Sequence, residues 1–241
     1  MNERRLYPQR GVHSRVVHDI GRQVVSGAIA EGALLPRESE LSERFAASRQ
    51  AVREGLKVLA AKGLVYARRR VGTAVLPRNS WNLLDPDVIA WHEPAHLPPD
   101  FLLQLVELRQ VIEPAASELA ALRGTNEAIE AISVALEKMR RSVDDSPAFI
   151  RADLDFHIAL FVASGNVLFE RLGRICEPLL GASFARQEMK HQRDRIITVL
   201  IPTHAVVYEA IAAHKPALAR RRMNELLLLV REEEMASRPP K

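Results

Sequence analysis

The segment RADLDFHIAL at positions 151–160 contains two side chains of types that bind divalent metal ions in proteins. Asp153 precedes His157 by four residues, and on a helix this spacing places both side chains on one face, one turn apart. A carboxylate and an imidazole placed in this way can share a metal ion. The spacing alone is weak evidence, because a histidine on a helix is more often a packed or exposed residue than a ligand.

The segment SRQAVREGLKVLAAKG contains side chains suited to DNA. Arg49, Gln50 and Arg53 lie away from the apolar stripe of this predicted helix. Arginine binds guanine and glutamine binds adenine, and the N-terminal residues of a recognition helix meet the base edges. Ser48 is a preferred N-cap and Gly63 a preferred helix end. The alternative is a solvated basic helix face, but the neighbouring elements favour DNA.

The elements around this helix have the pattern of a winged helix-turn-helix. VVHDIGRQVVS predicts an amphipathic first helix, and Pro36 precedes a second helix, where proline is tolerated. Only Ala47 and its immediate neighbours separate the second helix from the third, as a helix-turn-helix requires. LVYAR and TAVLP then predict two short strands with a turn at Gly72, which places Arg69 and Arg70 in a basic wing.

Charge is unevenly distributed along the chain. Residues 1–78 carry 15 Lys and Arg against 7 Asp and Glu, whereas the remainder is acidic, and the whole chain has a net charge of +4. A basic first third suggests an anion-binding module, with nucleic acid as the first choice of partner. Cys176 is the single cysteine, so it forms no internal disulfide, and we expect it to be buried.

No membrane-spanning or secretory segment is evident in the sequence. There is no run of 18 or more apolar residues, and the start MNERRLYPQRG has no apolar stretch of the kind that signal peptides contain. We therefore expect a cytoplasmic protein that does not contact a membrane.

The remainder of the chain predicts helices only. Residues 79–100 are rich in proline and predict a connector with a short helix around Asp87–Trp91, in which Trp81 and Trp91 pack to fix the two domains relative to each other. Pro114 is expected to kink or split the first helix of the second domain. The helix candidates after the connector are roughly 101–123, 126–143, 147–164, 166–188, 194–213 and 215–236.

The fold class predicted from these elements is mainly α. An N-terminal winged helix-turn-helix with a small β-hairpin wing occupies residues 1–78. The connector follows at residues 79–100. A C-terminal all-α helical bundle, which has the size of one compact domain, occupies residues 101–236.

The first domain resembles the DNA-binding domain of the GntR superfamily of bacterial transcription regulators. The resemblance implies binding of double-stranded operator DNA. It is carried by Leu35–Pro36, Glu38, Leu41, Ser48–Arg49, Val52–Arg53–Glu54, Leu56, Leu59, Gly63 and Gly72–Thr73. The residues that we predict to contact DNA are Arg37, Ser48, Arg49, Gln50, Arg53, Arg69, Arg70 and Gly72.

The second domain resembles that of the FadR subgroup, with its all-helical FCD effector-binding domain. The matching residues are Leu108–Arg109, Glu113, Asp153, His157, Asn166, His204 and Ala210–Ile211. The resemblance implies a divalent metal ion bound by one Asp and three His, and Asp153, His157 and His204 match three of these ligands. Leu226 stands at the fourth position and cannot bind a metal. Either the three residues hold zinc, or else nickel or manganese, with open coordination positions, or they bind the effector without a metal.

The resemblance also implies a small carboxylate effector. The connector PRNSWNLLDPDVIAW resembles that of the galactonate-operon repressors, which sense sugar acids. An acyl-CoA or a dicarboxylate is the alternative ligand, since a fold does not fix the ligand. Arginine offers two parallel donors to a carboxylate, although Arg109 has the alternative of a structural salt bridge with Glu113. The predicted effector-binding residues are Arg109, Asp153, His157, Arg186 and His204.

Together these features predict a homodimeric repressor that leaves its operator when the effector binds. The rival class is a metal-dependent enzyme whose basic domain serves as an anchor. No nucleophile–base pair is evident near Asp153, and neither a G-x-G-x-x-G nor a P-loop motif for a nucleotide cofactor occurs. We therefore expect a regulator and no enzyme.

Overall fold

The chain folds into two compact units, Met1–His96 and Leu97–Lys241. Helices dominate both units, and the sheet found among the described residues has two strands and belongs to the first unit. The predicted limits at residues 78 and 100 stay a prediction. The structure, a computed structural model, describes residues 7–8, 11–68, 71–92, 99–188 and 193–236.

The first unit is a winged helix-turn-helix, as the sequence predicts. Its strands pair antiparallel in the register Val65↔Val75 to Arg68↔Gly72, and an isolated bridge joins Leu34 to Ala74 beside them. The elements are α1 Val12–Val25, α2 Glu38–Arg44, α3 Arg49–Ala61, β1 Val65–Arg68, β2 Gly72–Val75 and α4 Pro86–Trp91.

Local signals in the sequence explain where the helix-turn-helix begins and ends. Ser48 caps α3, its Oγ accepting a hydrogen bond from the Ala51 N–H at 3.2 Å, so the helix begins at Arg49 as expected. The tight turn before it uses a positive φ of 48° at Ala46. The apolar faces of the three helices meet in one core that includes Val16, Ile20, Leu41, Val52 and Leu59, all nearly inaccessible to solvent.

The described part of the connector up to His92 folds onto the first unit. Its short helix is the α4 that the sequence predicts around Asp87–Trp91. Trp81 and Trp91, which we expected to fix the two domains relative to each other, lie in the core of the first unit with exposures of 8% and 4%. Trp81 Nε1 also donates a hydrogen bond to the Leu76 carbonyl at 2.8 Å.

The second unit is an all-α bundle whose helices agree closely with the predicted ranges. Pro114 lies inside its first helix, which is continuous from Pro99 to Arg123, so of the two predicted outcomes, a kink or a split, the split does not occur. Proline removes one backbone hydrogen bond, and burial of the helix on both sides of Pro114 outweighs that loss. The helices are α5 Pro99–Arg123, α6 Asn126–Arg141, α7 Ser146–Ala163, α8 Val167–Glu188, α9 Arg193–Arg195, α10 Ile201–Ala212 and α11 Pro216–Ala236.

The segment that leads into α10 combines length with low polarity. A π-helical turn, Ile196–Leu200, joins α9 to α10, and the stretch Arg193–Ala212 is long and apolar enough by composition to cross a membrane. Length and composition alone do not indicate a membrane span, because the core helices of soluble proteins meet the same criteria. Here it begins with the charged Arg193, Asp194 and Arg195.

Cys176 is buried in α8, with 3% of its surface exposed, as the sequence suggests. Burial raises the pKa of its thiol to about 11. The thiolate, which is the reactive form, is therefore almost absent at neutral pH, and Cys176 acts as a small apolar residue.

Gly63, which follows α3, allows a close backbone contact. Its φ is +75°, and a Cβ built there lies 2.4 Å from the Ser80 carbonyl oxygen. Gly27 has nearly the same φ of +79°, but a Cβ there meets nothing within 4 Å. Strain at positive φ therefore affects both positions, whereas the steric clash affects Gly63 alone.

We predict that Gly63→Ala destabilises the first unit by more than Gly27→Ala does. The strain shared by both variants is about 1–2 kcal/mol, and only Gly63→Ala adds the clash with Ser80. Both tryptophans of the chain lie in the first unit, so denaturant titration followed by tryptophan fluorescence reports on that unit selectively. Equal losses for the two variants would contradict the close contact.

Candidate functional site

The predicted DNA-reading residues of the helix-turn-helix itself are exposed. Ser48, Arg49, Gln50 and Arg53 are exposed along the first turns of α3, and Arg37 is exposed where α2 begins. This arrangement presents hydrogen-bond donors at the N-terminal end of the recognition helix, where base edges are met in known complexes.

Arg53 is held by a neighbour that it can release at little cost. Its Nε lies 2.8 Å from Glu38 Oε2, and the two side chains are 65% and 37% exposed. An exposed ion pair of this kind contributes less than about 1 kcal/mol, so Arg53 can exchange Glu38 for a phosphate or a base. Glu38 follows Arg37 in the chain and lies in the first turn of α2. The ion pair with Glu38 therefore directs the Arg53 side chain towards the start of α2, where Arg37 lies.

The remaining predicted DNA-contacting residues lie in the wing, and one predicted effector-binding residue lies in α8. Gly72 is exposed and opens β2 with a φ of 131°. Arg69 and Arg70 lie outside the described residues. Arg186 lies in α8, but its side chain is likewise outside them.

Asp153, His157 and His204 meet inside the second unit. Asp153 and His157 share one face of α7, and α10 brings His204 opposite them. Asp153 Oδ1 lies 3.4 Å from His157 Nε2 and 3.1 Å from His204 Nε2, and the two Nε2 atoms are 3.4 Å apart. His157 and His204 are 1% and 3% exposed, so the group is almost closed to solvent.

The outer nitrogen of each ring lies close to an oxygen atom, and for His204 this contact is a hydrogen bond. His204 Nδ1 lies 2.7 Å from the Leu200 carbonyl, and His157 Nδ1 lies 2.8 Å from Glu113 Oε2. A carbonyl only accepts hydrogen bonds, so His204 Nδ1 carries the proton, and the negative charge of Glu113 beside His157 Nδ1 favours a proton there as well. In the neutral rings, each Nε2 therefore presents a lone pair towards Asp153, whose buried Oδ1 has no hydrogen bond.

The acidic groups of the cluster stay ionised at neutral pH. Burial alone would raise the pKa of Glu113, but the positive charges of Arg109 and His157 outweigh it and lower that pKa to about 2. Burial likewise opposes ionisation of Asp153, yet His204 and His157 hold its pKa well below the usual range. Burial opposes protonation of His157, but Glu113 and Asp153 outweigh it and raise the pKa of this imidazole. Metal binding requires neutral imidazoles, and in that state the two carboxylates outnumber the single cation and give the cluster an excess negative charge.

This geometry fits a divalent metal ion. A tetrahedral ion with bonds of about 2.0–2.1 Å separates its ligand atoms by about 3.3–3.4 Å, close to the separations found among the three donor atoms. The Nδ1 contacts to Glu113 and Leu200 are the outer contacts that orient metal-bound histidines. Three lone pairs also repel each other unless a cation lies between them. Asp153, His157 and His204 are thus the residues that could hold an ion.

Arg109 borders this centre and forms the salt bridge considered above as its alternative role. Its Nε lies 2.6 Å from Glu113 Oε1, and its Nη2 lies 3.3 Å from His157 Nε2. Arg109 is also buried, with 1% of its surface exposed. Because its guanidinium lies so close to His157, a ligand that contacts His157 would also contact Arg109. Leu226 is buried in the apolar core of the bundle and supplies no ligand atom.

The contact between Glu113 and His157 was missed by sequence reasoning. The spacing of Arg109 and Glu113 suggests that they pair with each other, and they do. The partner of the second carboxylate oxygen comes from another helix, 44 positions along the chain, and no local pattern signals it.

Each of the two units matches a known protein family. Residues 13–75 match the family "Bacterial regulatory proteins, gntR family", and residues 104–228 match the family "FCD domain".

Individual relatives extend over most of the chain. The Galactonate operon transcriptional repressor of Escherichia coli K12 is 34% identical over 82% of this chain and 85% of its own length. The HTH-type transcriptional repressor NanR of Klebsiella aerogenes is 29% identical over 90% of this chain and 83% of its own.

The fold has solved counterparts as well. The structure of Lar, described as controlling expression of the Listeria monocytogenes agr system, covers 95% of this chain and 99% of its own, with a TM-score of 0.65 at 17% identity. Relatives and fold are those of transcription regulators and not of enzymes. The basic winged helix and the histidine-bearing bundle therefore identify this chain as a DNA-binding transcription regulator of the gntR family with an FCD effector domain.

Proposed function

We propose that this regulator is a cytoplasmic, homodimeric repressor that leaves its operator when a small carboxylate, such as a sugar acid, binds beside Asp153, His157 and His204. The observation that carries the proposal is the convergence of these three donors with Arg109 in one buried place. The relative named for the galactonate operon supports a sugar acid as the ligand.

Charge explains why an acid suits this centre. A divalent ion held by Asp153, His157 and His204 would supply open coordination positions for a carboxylate and a neighbouring hydroxyl. The ion would turn the excess negative charge of the cluster into an excess positive charge. Arg109 would then bind the remaining carboxylate oxygen, because its guanidinium presents donors in a fixed plane.

We expect an aldonate such as galactonate to raise the melting temperature of protein purified without a nickel column, because a ligand bound only to the folded state stabilises it. Prior treatment with a chelator should abolish the shift. A shift that survives the chelator would mean that the histidines bind the acid directly. No shift with any sugar acid, dicarboxylate or acyl-CoA would contradict a carboxylate effector.

Asp153→Asn should weaken metal binding at least about tenfold, the smallest loss typical of disturbing even an outer partner of a metal ligand. Isothermal titration of chelator-treated protein with zinc, nickel and manganese measures the change. Asp155→Asn is the matched control, because Asp155 lies on the same helix but pairs with the exposed Lys138 at 3.1 Å. Equal affinities in the two variants would contradict the assigned ligands.

Operator recognition provides a separate prediction. Arg49→Ala and Arg53→Ala should each cost about 1–3 kcal/mol of operator affinity if they contact bases, and should reduce the salt dependence of binding if they contact phosphates. Arg174→Ala, on the exposed surface of the bundle, removes the same charge without affecting this face. Binding to the operator selected from random DNA should be compared by fluorescence anisotropy. Unchanged affinity in both α3 variants would contradict the assigned DNA-reading face.

A patch of exposed apolar side chains supports the homodimer. Leu122, Val167 and Leu168 are 65%, 74% and 73% exposed, and Val111, 72% exposed, lies three helical turns before Leu122 on the same face of α5. The end of α5 is tied to the turn before α8, where Arg123 Nε donates a hydrogen bond to the Ser164 carbonyl at 2.7 Å. A large exposed apolar patch marks an interaction site.

We therefore expect Leu168→Glu to dissociate the dimer, since a carboxylate cannot be buried there without a partner. Light scattering should give the chain mass of 27.0 kDa for the variant and twice that for the wild type. Val134→Glu, at a position 46% exposed on α6, should stay dimeric. A wild-type monomer, or a dimer that tolerates Leu168→Glu, would contradict this interface.

A further inference from the structure

The connector helix α4 is built into the core of the DNA-binding unit. Val88 and Ile89 are almost fully buried, and the ring of Trp91 packs so closely on α1 that a Cβ at Gly21 would lie 2.6 Å from it. Trp91 Nε1 also donates a hydrogen bond to His18 Nδ1 at 2.9 Å. The C-terminal end of α4 is thus fixed to the first helix.

The N-terminal end of α4 is fixed to the recognition helix by buried charges. Lys62, which follows α3, places its Nζ 2.8 and 2.9 Å from the two oxygens of Asp85 and 2.7 Å from Asp87 Oδ2. The side chains of Lys62, Asp85 and Asp87 are 11%, 18% and 4% exposed. The Asn82 N–H also donates a hydrogen bond to the Lys62 carbonyl at 3.0 Å.

The two carboxylates have further donors that offset their excess negative charge. Asp85 caps α4, accepting hydrogen bonds from the backbone N–H groups of Asp87 and Val88 at 2.9 and 3.2 Å. Asp87 Oδ1 accepts one from the Tyr7 N–H at 2.9 Å. The positive end of a helix also favours carboxylates at its first turn. The ion group is therefore fully hydrogen-bonded, and a buried group of this kind defines geometry more than it adds stability.

Within the described part of the first unit, the ion-pair partners of Lys62 are Asp85 and Asp87 and not a predicted DNA-reading residue. Lys62 lies nine residues beyond Arg53, about 14 Å along the helix axis at 1.5 Å per residue. The chain passes from the first unit to the second through α4 and His92. A displacement transmitted along the chain from the effector domain therefore reaches α4 before it reaches α3.

We propose that Lys62, Asp85 and Asp87 form a clamp that makes α4 and the recognition helix move as one body. Lys62 is then a positioning residue, through which the effector domain sets the orientation of α3 on DNA. The inference rests on the DNA-binding role, and the part that concerns half-site spacing also rests on the proposed homodimer.

The test compares three full-length proteins with wild type on a DNA duplex that the wild type selects from a random pool. Lys62→Met removes the cation but leaves two buried carboxylates without it. The triple variant Lys62→Met/Asp85→Asn/Asp87→Asn removes every charge, and asparagine still caps α4. Lys138→Met is the control, because Lys138 forms an exposed pair with Asp155 on the bundle.

Hydrogen–deuterium exchange is the first measurement, and it requires neither an effector nor a dimer. In wild type and in Lys138→Met, DNA should slow amide exchange in α3 and α4 together. In the clamp variants, DNA should still slow exchange in α3 but should leave α4 at its free rate. Slowing of α4 in the clamp variants equal to that in wild type would overturn the proposal. So would a wild-type α4 that exchanges freely on DNA, a result that needs no variant to fold.

Half-site spacing is the second measurement. Inserting two base pairs between the half-sites should weaken wild-type binding, and the clamp variants should lose at least about fivefold less affinity, because a looser tether tolerates other spacings. An equal loss in the variants would overturn the proposal. Insensitivity of the wild type to spacing, with α3 and α4 still protected together, would contradict the homodimer and leave the clamp supported.

Discussion

The burial of ionised groups in apolar helical cores is the constraint on which both units depend. A charge removed from water must find an opposite charge and enough hydrogen bonds, or it costs several kcal/mol. In the bundle, Arg109 and Glu113 form a buried ion pair, and the second oxygen of Glu113 lies 2.8 Å from His157 Nδ1. In the DNA-binding unit, Lys62 is satisfied by Asp85 and Asp87. Each group holds together helices that are far apart in sequence.

Local signals in the sequence were sufficient for most of the fold. The capping serine at Ser48 and the glycine at Gly63 define the recognition helix, and alternating apolar residues define the wing. The sequence left open whether Pro114 kinks or splits its helix, because the continuity of that helix depends on burial between other helices rather than on its own sequence. The pairing of Arg109 with Glu113 was visible at four-residue spacing, whereas the contacts of Glu113 with His157 and of Lys62 with Asp85 join distant segments.

Leu226 alters what the histidine centre can do. A fourth imidazole would occupy a coordination position and add no charge, whereas the leucine side chain offers no ligand atom. In the proposed centre, three ligands would bind an ion less tightly than four, but they would leave more positions for a ligand that brings its own oxygens. Metal affinity and effector affinity would then be coupled, since each would complete the coordination that the other requires.

The predicted DNA-reading residues and the proposed ligand-binding residues belong to different units, which limits how an effector could act on DNA. Arg49 and Arg53 are exposed side chains of α3, and no residue of the proposed ligand centre is among the predicted DNA-reading residues, so the proposed effector would not change the chemistry of base recognition. In the proposed homodimer it would instead change where the two recognition helices lie relative to their half-sites. Such a change lowers operator affinity only if the effector prefers one arrangement over the other. A rigid join between α4 and α3 makes that preference effective, because a flexible join would absorb the displacement before it reached the DNA.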